Sequence, residues 1–454
     1  MWSAVEDRLL EAQTPELFIK LFRRHYENLK GGSGGYLREA DIEPVSQVTD
    51  AEELEERYAE LGRRSLDKSA VLKLNGGLGT GMGLDGPKSL LPVRGNDSFL
   101  SLIVRQASRL SVPLVLMNSF STDEQTSNAM RGLEISTLET LSFLQHQVPK
   151  IDAETFAPAD WPSDPRLTWC PPGHGDIYAA LVTSGTLQRL LDEGRRYVFV
   201  SNADNLGATM DERILGHFID SGSPFLMEVA DRKRADRKGG HLALSDSGGY
   251  VLREKAQCHP EEETSFQDTD RHRYFNTNNL WLDLSAIAKH LEANDGILEL
   301  PTIVNQKTIN PRDSASPKVY QLETAMGAAI GVLEGATAIR VPRTRFAPVK
   351  TTGDLLAVRS DAYEVREDAS VGLIAERNGV PPTVKLDERF YKTITDLEAR
   401  VPVPPSLREC ESLTVEGDHR FERGIVCKGN VKLKALGQKQ VAVTPAVLNL
   451  AGAE

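Results

Sequence analysis

An open, mostly parallel α/β sheet is the fold class that this 454-residue chain predicts. Three observations predict it. From about residue 67 to 375, apolar runs of strand length such as "PLVLMN", "RRYVFVSN" and "SPFLMEVA" alternate with helical patterns. In one of those patterns, "SFLSLIVRQASRL", Phe99, Leu102, Ile103, Ala107 and Leu110 share one face. A glycine-rich loop also leaves a short buried strand, "AVLKLN", at Ala70 to Asn75.

The elements follow in chain order. Residues 1–66 are rich in helix formers, as in "AVEDRLLEAQTPELFIKLFRRHYENL" and "DAEELEERYAELGRR", with a "KGGSGG" turn between. Residues 67–395 hold the alternating α/β stretch. Residues 396–454 differ: "LTVEGDHRFERGIVCKGNVKLKALGQKQVAVTPAVLNL" has short period-2 strands separated by turn residues. That pattern suits a small all-β unit, with coiled turns of a β-helix as one form.

Composition sets the outer bounds. The chain is 40% hydrophobic and 26% charged, as ordinary globular proteins are. Its net charge of −12 argues against a nucleic-acid partner, whose phosphates it would repel. No run approaches the roughly 18 apolar residues of a membrane span. The start, "MWSAVEDRLLEAQ", is amphipathic and acidic, without a signal-peptide core. Cys170, Cys258, Cys410 and Cys427 are scattered, with no C-x-x-C pair. The expectation is therefore a cytoplasmic protein with reduced thiols and no membrane partner.

The stretch "LNGGLGTGMGLDGPKS", residues 74–89, carries six glycines and one lysine. Glycine serves where backbone must approach a ligand closely, and such a loop behind a strand usually holds phosphate. Gly81, Gly83 and Gly86 match G-x-G-x-x-G, but too far from the strand and before a proline. The Walker A pattern fails too, because Pro87 separates Gly86 from Lys88. Four further segments carry chemistry. "WCPPGHGDIY" sets His174 between Gly173 and Gly175 in a stiff loop, or is an ordinary proline-glycine turn. "YVFVSNADNLGA" ends a strand on Asn202, Asp204 and Asn205, where ligands of α/β sheets sit. A lone carboxylate there suits Mg²⁺; the bland alternative is an Asp capping the next helix. "RYFNTNNLWLDL" lines up Asn276, Thr277, Asn278 and Asn279, groups that read sugar hydroxyls or simply make turns. "VPRTRFAPVKTTGDLL" gathers Arg343, Arg345 and Lys350 before a helix start at Thr352, suggesting an anionic ligand. Together these point to a nucleotide-sugar site.

The segments "KLNGGLGTGMGLDGPKS", "PPGHGDIY", "VSNADNLGAT", "FNTNNLW", "QLETAMGAAI" and "RTRFAPVKTTGDLL" resemble those of the eukaryotic-type UTP–glucose-1-phosphate uridylyltransferase family, in the family's order over residues 73–356. The resemblance implies a Rossmann-like nucleotidyltransferase domain with a mixed, mostly parallel sheet, a helical N-terminal segment and a short C-terminal left-handed β-helix. It makes Leu74, Asn75, Gly76 and Gly77 a backbone cradle for uracil and ribose, with Lys88 facing the triphosphate. Gln145 would pair with the uracil edge and Gly173 would pack on the nucleotide. Asn202, Ala203 and Asp204 would bracket the phosphate, with Asp204 on Mg²⁺. His174 would meet the sugar phosphate. Asn276, Asn278 and Asn279 would meet the hexose, with Gly240 and Glu254 as further sugar contacts, and Lys350 would hold phosphates from the opposite side.

The reaction so implied joins UTP and glucose 1-phosphate into UDP-glucose, reversibly and with Mg²⁺, releasing pyrophosphate. Lys88 and Lys350 carry its catalysis. A relative using UDP-N-acetylhexosamine and a silent UDP-sugar sensor are the rivals; a panel of sugar phosphates and a pyrophosphate-release assay discriminate them. The chain stops soon after Leu450, where many family members continue through further coil turns. A monomer or at most a dimer is expected.

Overall fold

The computed structural model describes residues 1–32, 35–133, 138–435, 437, 439–445 and 447–448. Part of the "KGGSGG" turn, residues 33–34, and residues 436, 438, 446 and 449–454 of the C-terminal stretch, Leu450 included, lie outside them.

The main path of the central sheet contains β1 (Thr49–Asp50), β2 (Ser69–Asn75), β3 (Leu114–Asn118), β4 (Thr140–Leu144), β5 (Tyr197–Asn202), β6 (Phe225–Asp231), β7 (Tyr274–Asp283) and β8 (Thr337–Arg340). Their spatial order is β1-β8-β6-β7-β5-β2-β3-β4. Along this path β7 runs antiparallel to both neighbours, and the other pairings are parallel. The reversal has a local consequence. The end of β7 lies beside the start of β5, Asp283 opposite Tyr197, and Val200, nearer the carboxyl end of β5, pairs with Leu280.

Alternate residues of each strand feed opposite cores, as the period of two demands. Ala70, Leu72, Val198 and Val200 pack beneath Ile177, Tyr178, Ala180 and Leu181. Val71 and Phe199 face the other way, onto Leu100, Ile103, Val104 and Ala107, with Ile214 and Phe218. Helices therefore cover both faces. The expected helix behind residue 98 spans Phe99–Leu110, and Ser98 caps it by accepting from the Ser101 N–H at 3.1 Å.

The N-terminal segment forms helices at Trp2–Glu11 and Glu16–Lys30, which pack on Val148, Ile151, Cys170 and Ala179. It is not purely helical. Ile42–Pro44 pairs with His241–Ser245, and β1 extends the sheet beyond β8. Strands two or three residues long show no periodicity in the sequence, so only pairing with distant partners reveals them.

At the C-terminal end come β9 (Thr383–Leu386), β10 (Ser406–Glu416), β11 (His419–Phe421), β12 (Val426–Lys434), β13 (Val441–Val443) and β14 (Val447–Leu448). One parallel ladder runs β9-β10-β12-β14 and a second joins β11 to β13. Leu407, Cys410, Leu413, Val415, Phe421 and Cys427 point inward. They share a core with Leu355 and Leu356 of the helix Thr352–Arg359 and with Met82 of the glycine loop. All four cysteines are buried and free. Among the described residues no helix is long and apolar enough to cross a membrane.

Candidate active site

Parallel pairing brings four strand ends together. Asn202 of β5 lies opposite Leu74 of β2, Asn75 lies opposite Asn118 of β3, and Asn118 lies opposite Leu144 of β4. A cavity of about 310 Å³ opens beyond them. Leu74, Asn75, Gly76, Gly77, Lys88, Gln145, Gly173, His174, Asn202, Ala203 and Asp204 line it, with Ser89, Met117 and Pro171. Met117 aside, the sequence places these residues in five separate segments; the fold brings them together.

The glycine loop closes on itself. The Gly79 N–H donates to the Gly86 carbonyl at 3.3 Å, and the Lys88 N–H donates to the Gly77 carbonyl at 3.2 Å. Asn75 spends its amide on Asn118 Oδ1 at 2.7 Å and Thr126 Oγ1 at 3.0 Å, so its backbone is what it offers a ligand. A Cβ on Gly76 would stand 2.7 Å from Gln145 Nε2, whereas one on Gly77 would meet nothing within 4 Å. Gln145 is held just past β4 by its own N–H, which donates to the Asn118 carbonyl at 2.8 Å.

On the opposite wall, Gly173 has φ +82°, and a Cβ there would lie 2.5 Å from the Thr324 carbonyl. Only glycine fits such a site. The next residue, His174, accepts the Met326 N–H at Nδ1, at 3.0 Å. Burial pushes this imidazole down to about 4. It is therefore neutral at pH 7 with its proton on Nε2, a hydrogen-bond donor without a charge.

Asp204 and Lys88 meet directly. Lys88 Nζ donates to Asp204 Oδ2 at 2.5 Å, and both side chains are mostly buried. Lys88 is thus not a solvated loop residue. Nor does Asp204 cap a helix: the next one, Glu212–Ser221, is capped by Asp211, which accepts from Arg213 and Ile214. The Asp204 carbonyl instead accepts the Val349 N–H at 3.1 Å. That bond draws the 343–350 loop alongside, although Lys350 stays exposed and outside the cavity lining.

The basic loop needs correction. Arg345 makes a two-pronged bond to Glu228, Nε to Oε2 at 2.8 Å and Nη2 to Oε1 at 2.6 Å, deep in the protein. Arg343 pairs with Asp236 at 3.0 Å and lies over the Phe275 ring. Neither is free for an anion; each answers a carboxylate far away in sequence.

The hexose candidates also divide. Asn276 Nδ2 donates to Asn278 Oδ1 at 2.8 Å, and Asn278 takes φ +59° where the β6–β7 register shifts. Both are half-buried. Gly240 lies beside them, its carbonyl accepting the Asn276 N–H at 3.4 Å, and a Cβ on it would strike Glu254 Oε2. Burial raises the Glu254 carboxyl above its ordinary range. Asn279 does not join this group. It is fully buried, donates to Glu228 Oε2 at 3.0 Å and the Arg345 carbonyl at 3.2 Å, and accepts from Asn205. Its amide is engaged by the Glu228 carboxylate and the Arg345 carbonyl.

Sequence reasoning passed over Lys73. Its Nζ is buried, donating to Ser201 Oγ at 2.6 Å and the Ala208 carbonyl at 2.8 Å, and burial pushes it down to about 7. The signal was a lysine interrupting the apolar strand "AVLKLN". As for a metal, no group of three or more His, Cys, Asp or Glu suited to one occurs among the described residues. A single cavity carboxylate, Asp204, fits Mg²⁺, which keeps most of its shell for water and phosphate oxygens.

Comparison with known proteins gives the family. A family model described as UTP–glucose-1-phosphate uridylyltransferase matches residues 16–428. A probable UTP–glucose-1-phosphate uridylyltransferase of Schizosaccharomyces pombe is 39% identical over 94% of this chain and 84% of its own. The Saccharomyces cerevisiae enzyme of that name is 43% identical over 81% of this chain and 74% of its own. A variant UDP-glucose pyrophosphorylase from Leishmania major, in complex with UDP-glucose, superposes with a TM-score of 0.91 at 40% identity, covering 99% and 98% of the two chains.

Proposed function

The chain belongs to the UTP–glucose-1-phosphate uridylyltransferase family, and from that premise we propose how its own residues form UDP-glucose and pyrophosphate from UTP and glucose 1-phosphate. One observation carries the reading: the glycine loop, Gln145, His174, Lys88 and Asp204 line a single cavity at the carboxyl ends of parallel strands.

The backbone of Leu74–Gly77 cradles the nucleoside, and Gln145 offers a donor and an acceptor to the uracil edge. Gly173 packs on the nucleotide, while Asn202, Ala203 and Asp204 bracket its α-phosphate. Neutral His174 donates from Nε2 to the sugar phosphate, and Asn276, Asn278, Gly240 and Glu254 read the hexose. A phosphate oxygen of glucose 1-phosphate attacks the α-phosphorus, the bond to the β-phosphate oxygen breaks, and pyrophosphate leaves. The attacker is already an anion, so no strong base is needed; alignment and charge neutralisation do the work. Lys88 stabilises the charge that grows on the leaving pyrophosphate, and Lys350 closes in from the far side. Asp204 would hold Mg²⁺, which would supply further neutralisation of phosphate charge. One phosphoanhydride replaces another, so the reaction runs both ways.

We read the chain as units 1–66, 67–395 and 396–454, the last a left-handed β-helix, in a cytoplasmic protein that is a monomer or at most a dimer. Pyrophosphate release from UTP with glucose 1-phosphate tests the function. Galactose and N-acetylglucosamine 1-phosphates in the same assay test the sugar, and release absent with all three would refute it.

A further inference from the structure

We propose that Lys88 keeps Asp204 closed to divalent cations until a nucleoside triphosphate arrives, so that metal and nucleotide enter together. The inference rests on the reading of Asp204 as the metal carboxylate. Its basis is the direct contact between Lys88 Nζ and Asp204 Oδ2 at 2.5 Å, with the two side chains only 15% and 21% exposed.

Both partners are fixed from behind. Pro87 sets φ ahead of Lys88, whose N–H donates to Gly77. The Asp204 carbonyl is tied to the Val349 N–H, and the adjacent Ala203 N–H donates to the Leu74 carbonyl at 3.1 Å. The pair is therefore built into the walls of the cavity, where water screens it poorly. Mg²⁺ binds at about 2.0–2.1 Å from its oxygens. An ion that close to Asp204 must displace the ammonium or suffer its repulsion, and among the described residues no group of three or more His, Cys, Asp or Glu is placed to hold a metal. A triphosphate changes both conditions. Its oxygens accept Lys88 in place of Asp204, and they supply the ligands the metal lacks. Linkage then requires that metal tighten nucleotide by the factor that nucleotide tightens metal.

Mn²⁺ is the probe, its free concentration read by electron paramagnetic resonance, with no turnover involved. Without nucleotide, Lys88→Met and Lys88→Gln should each bind one Mn²⁺ at least about tenfold tighter than the parent, within the usual span of coupling factors. Adding UTP should tighten Mn²⁺ strongly in the parent and much less in the two variants. Thermal melts show whether each variant is folded, and the glutamine form serves if the methionine form is not. A parent enzyme that binds Mn²⁺ without nucleotide as tightly as both variants overturns the proposal. If Asp204→Asn binds Mn²⁺ with UTP as well as the parent does, the metal assignment itself fails, a separate outcome.

Discussion

Replacing Arg345 by methionine keeps an apolar stem and removes both charged donors from Glu228. That carboxylate is 0% exposed and has four bonds: two from Arg345, and one each from Asn279 Nδ2 and Trp281 Nε1 at 3.0 Å. The variant leaves a buried charge with two neutral donors. Breaking a buried pair in this way costs about 3–5 kcal/mol, a large part of the roughly 5–15 kcal/mol that holds a protein folded. For a chain this long the unfolding entropy is about 1 kcal/mol per kelvin, so the expected fall in melting temperature is roughly 3–5 °C. Adding Glu228→Gln removes the stranded charge, keeps the Trp281 bond, and should restore much of the loss. Thermal and urea melts of both variants, with KM for UTP and glucose 1-phosphate, make the assay. An unmoved melt with a raised KM would refute this reasoning and return Arg345 to the anion-binding role its sequence suggests.

Asp204→Asn should cut turnover steeply and raise the Mg²⁺ needed, and Lys88→Met should lower kcat by about two orders of magnitude or more; normal Mg²⁺ titrations of pyrophosphate release would deny both. Gln145→Ala should narrow the preference for UTP over CTP by about 1–3 kcal/mol for each uracil group left unpaired, read from kcat/KM for the two nucleotides. His174 has a folded-state pKa near 4 against 6.5 when free, so below pH 6.5 the unfolded chain binds the extra proton. Its contribution to stability is whole above pH 6.5 and is lost as pH falls toward 4; His174→Asn should flatten that slope in urea melts. Light scattering should show a monomer or a dimer, and a stable hexamer or octamer would overturn that expectation.

What was legible in the sequence was what chemistry makes local. Six glycines, a proline and a lysine in one short loop need no partner to be noticed, nor does an acidic residue closing an apolar strand. The alternation of strands and helices likewise lies along the chain. What escaped depends on pairing across long separations. Arg345 looks like a ligand-binding cation until Glu228 stands against it, and the bond from Asn279 to the same carboxylate is equally invisible along the chain. The reversed direction of β7 leaves no trace in composition, because a buried strand is apolar whichever way it runs. Lys88 and Asp204 were each visible; their contact was not.

Met82 sits in one core with Leu407, Leu413 and Phe421, and a Cβ on neighbouring Gly83 would stand 2.8 Å from the Thr393 side chain. The glycine loop, to which we assign the nucleotide, is thus seated on residues translated long after it. At about 5–20 residues per second, a ribosome needs roughly 15–60 s to travel from one to the other. During that interval the emerging polypeptide carries its glycine loop without the surface that seats it. The seat of the loop is therefore completed late in synthesis, once the C-terminal strands emerge, and a product terminated before them would hold the loop's sequence without the residues that seat it.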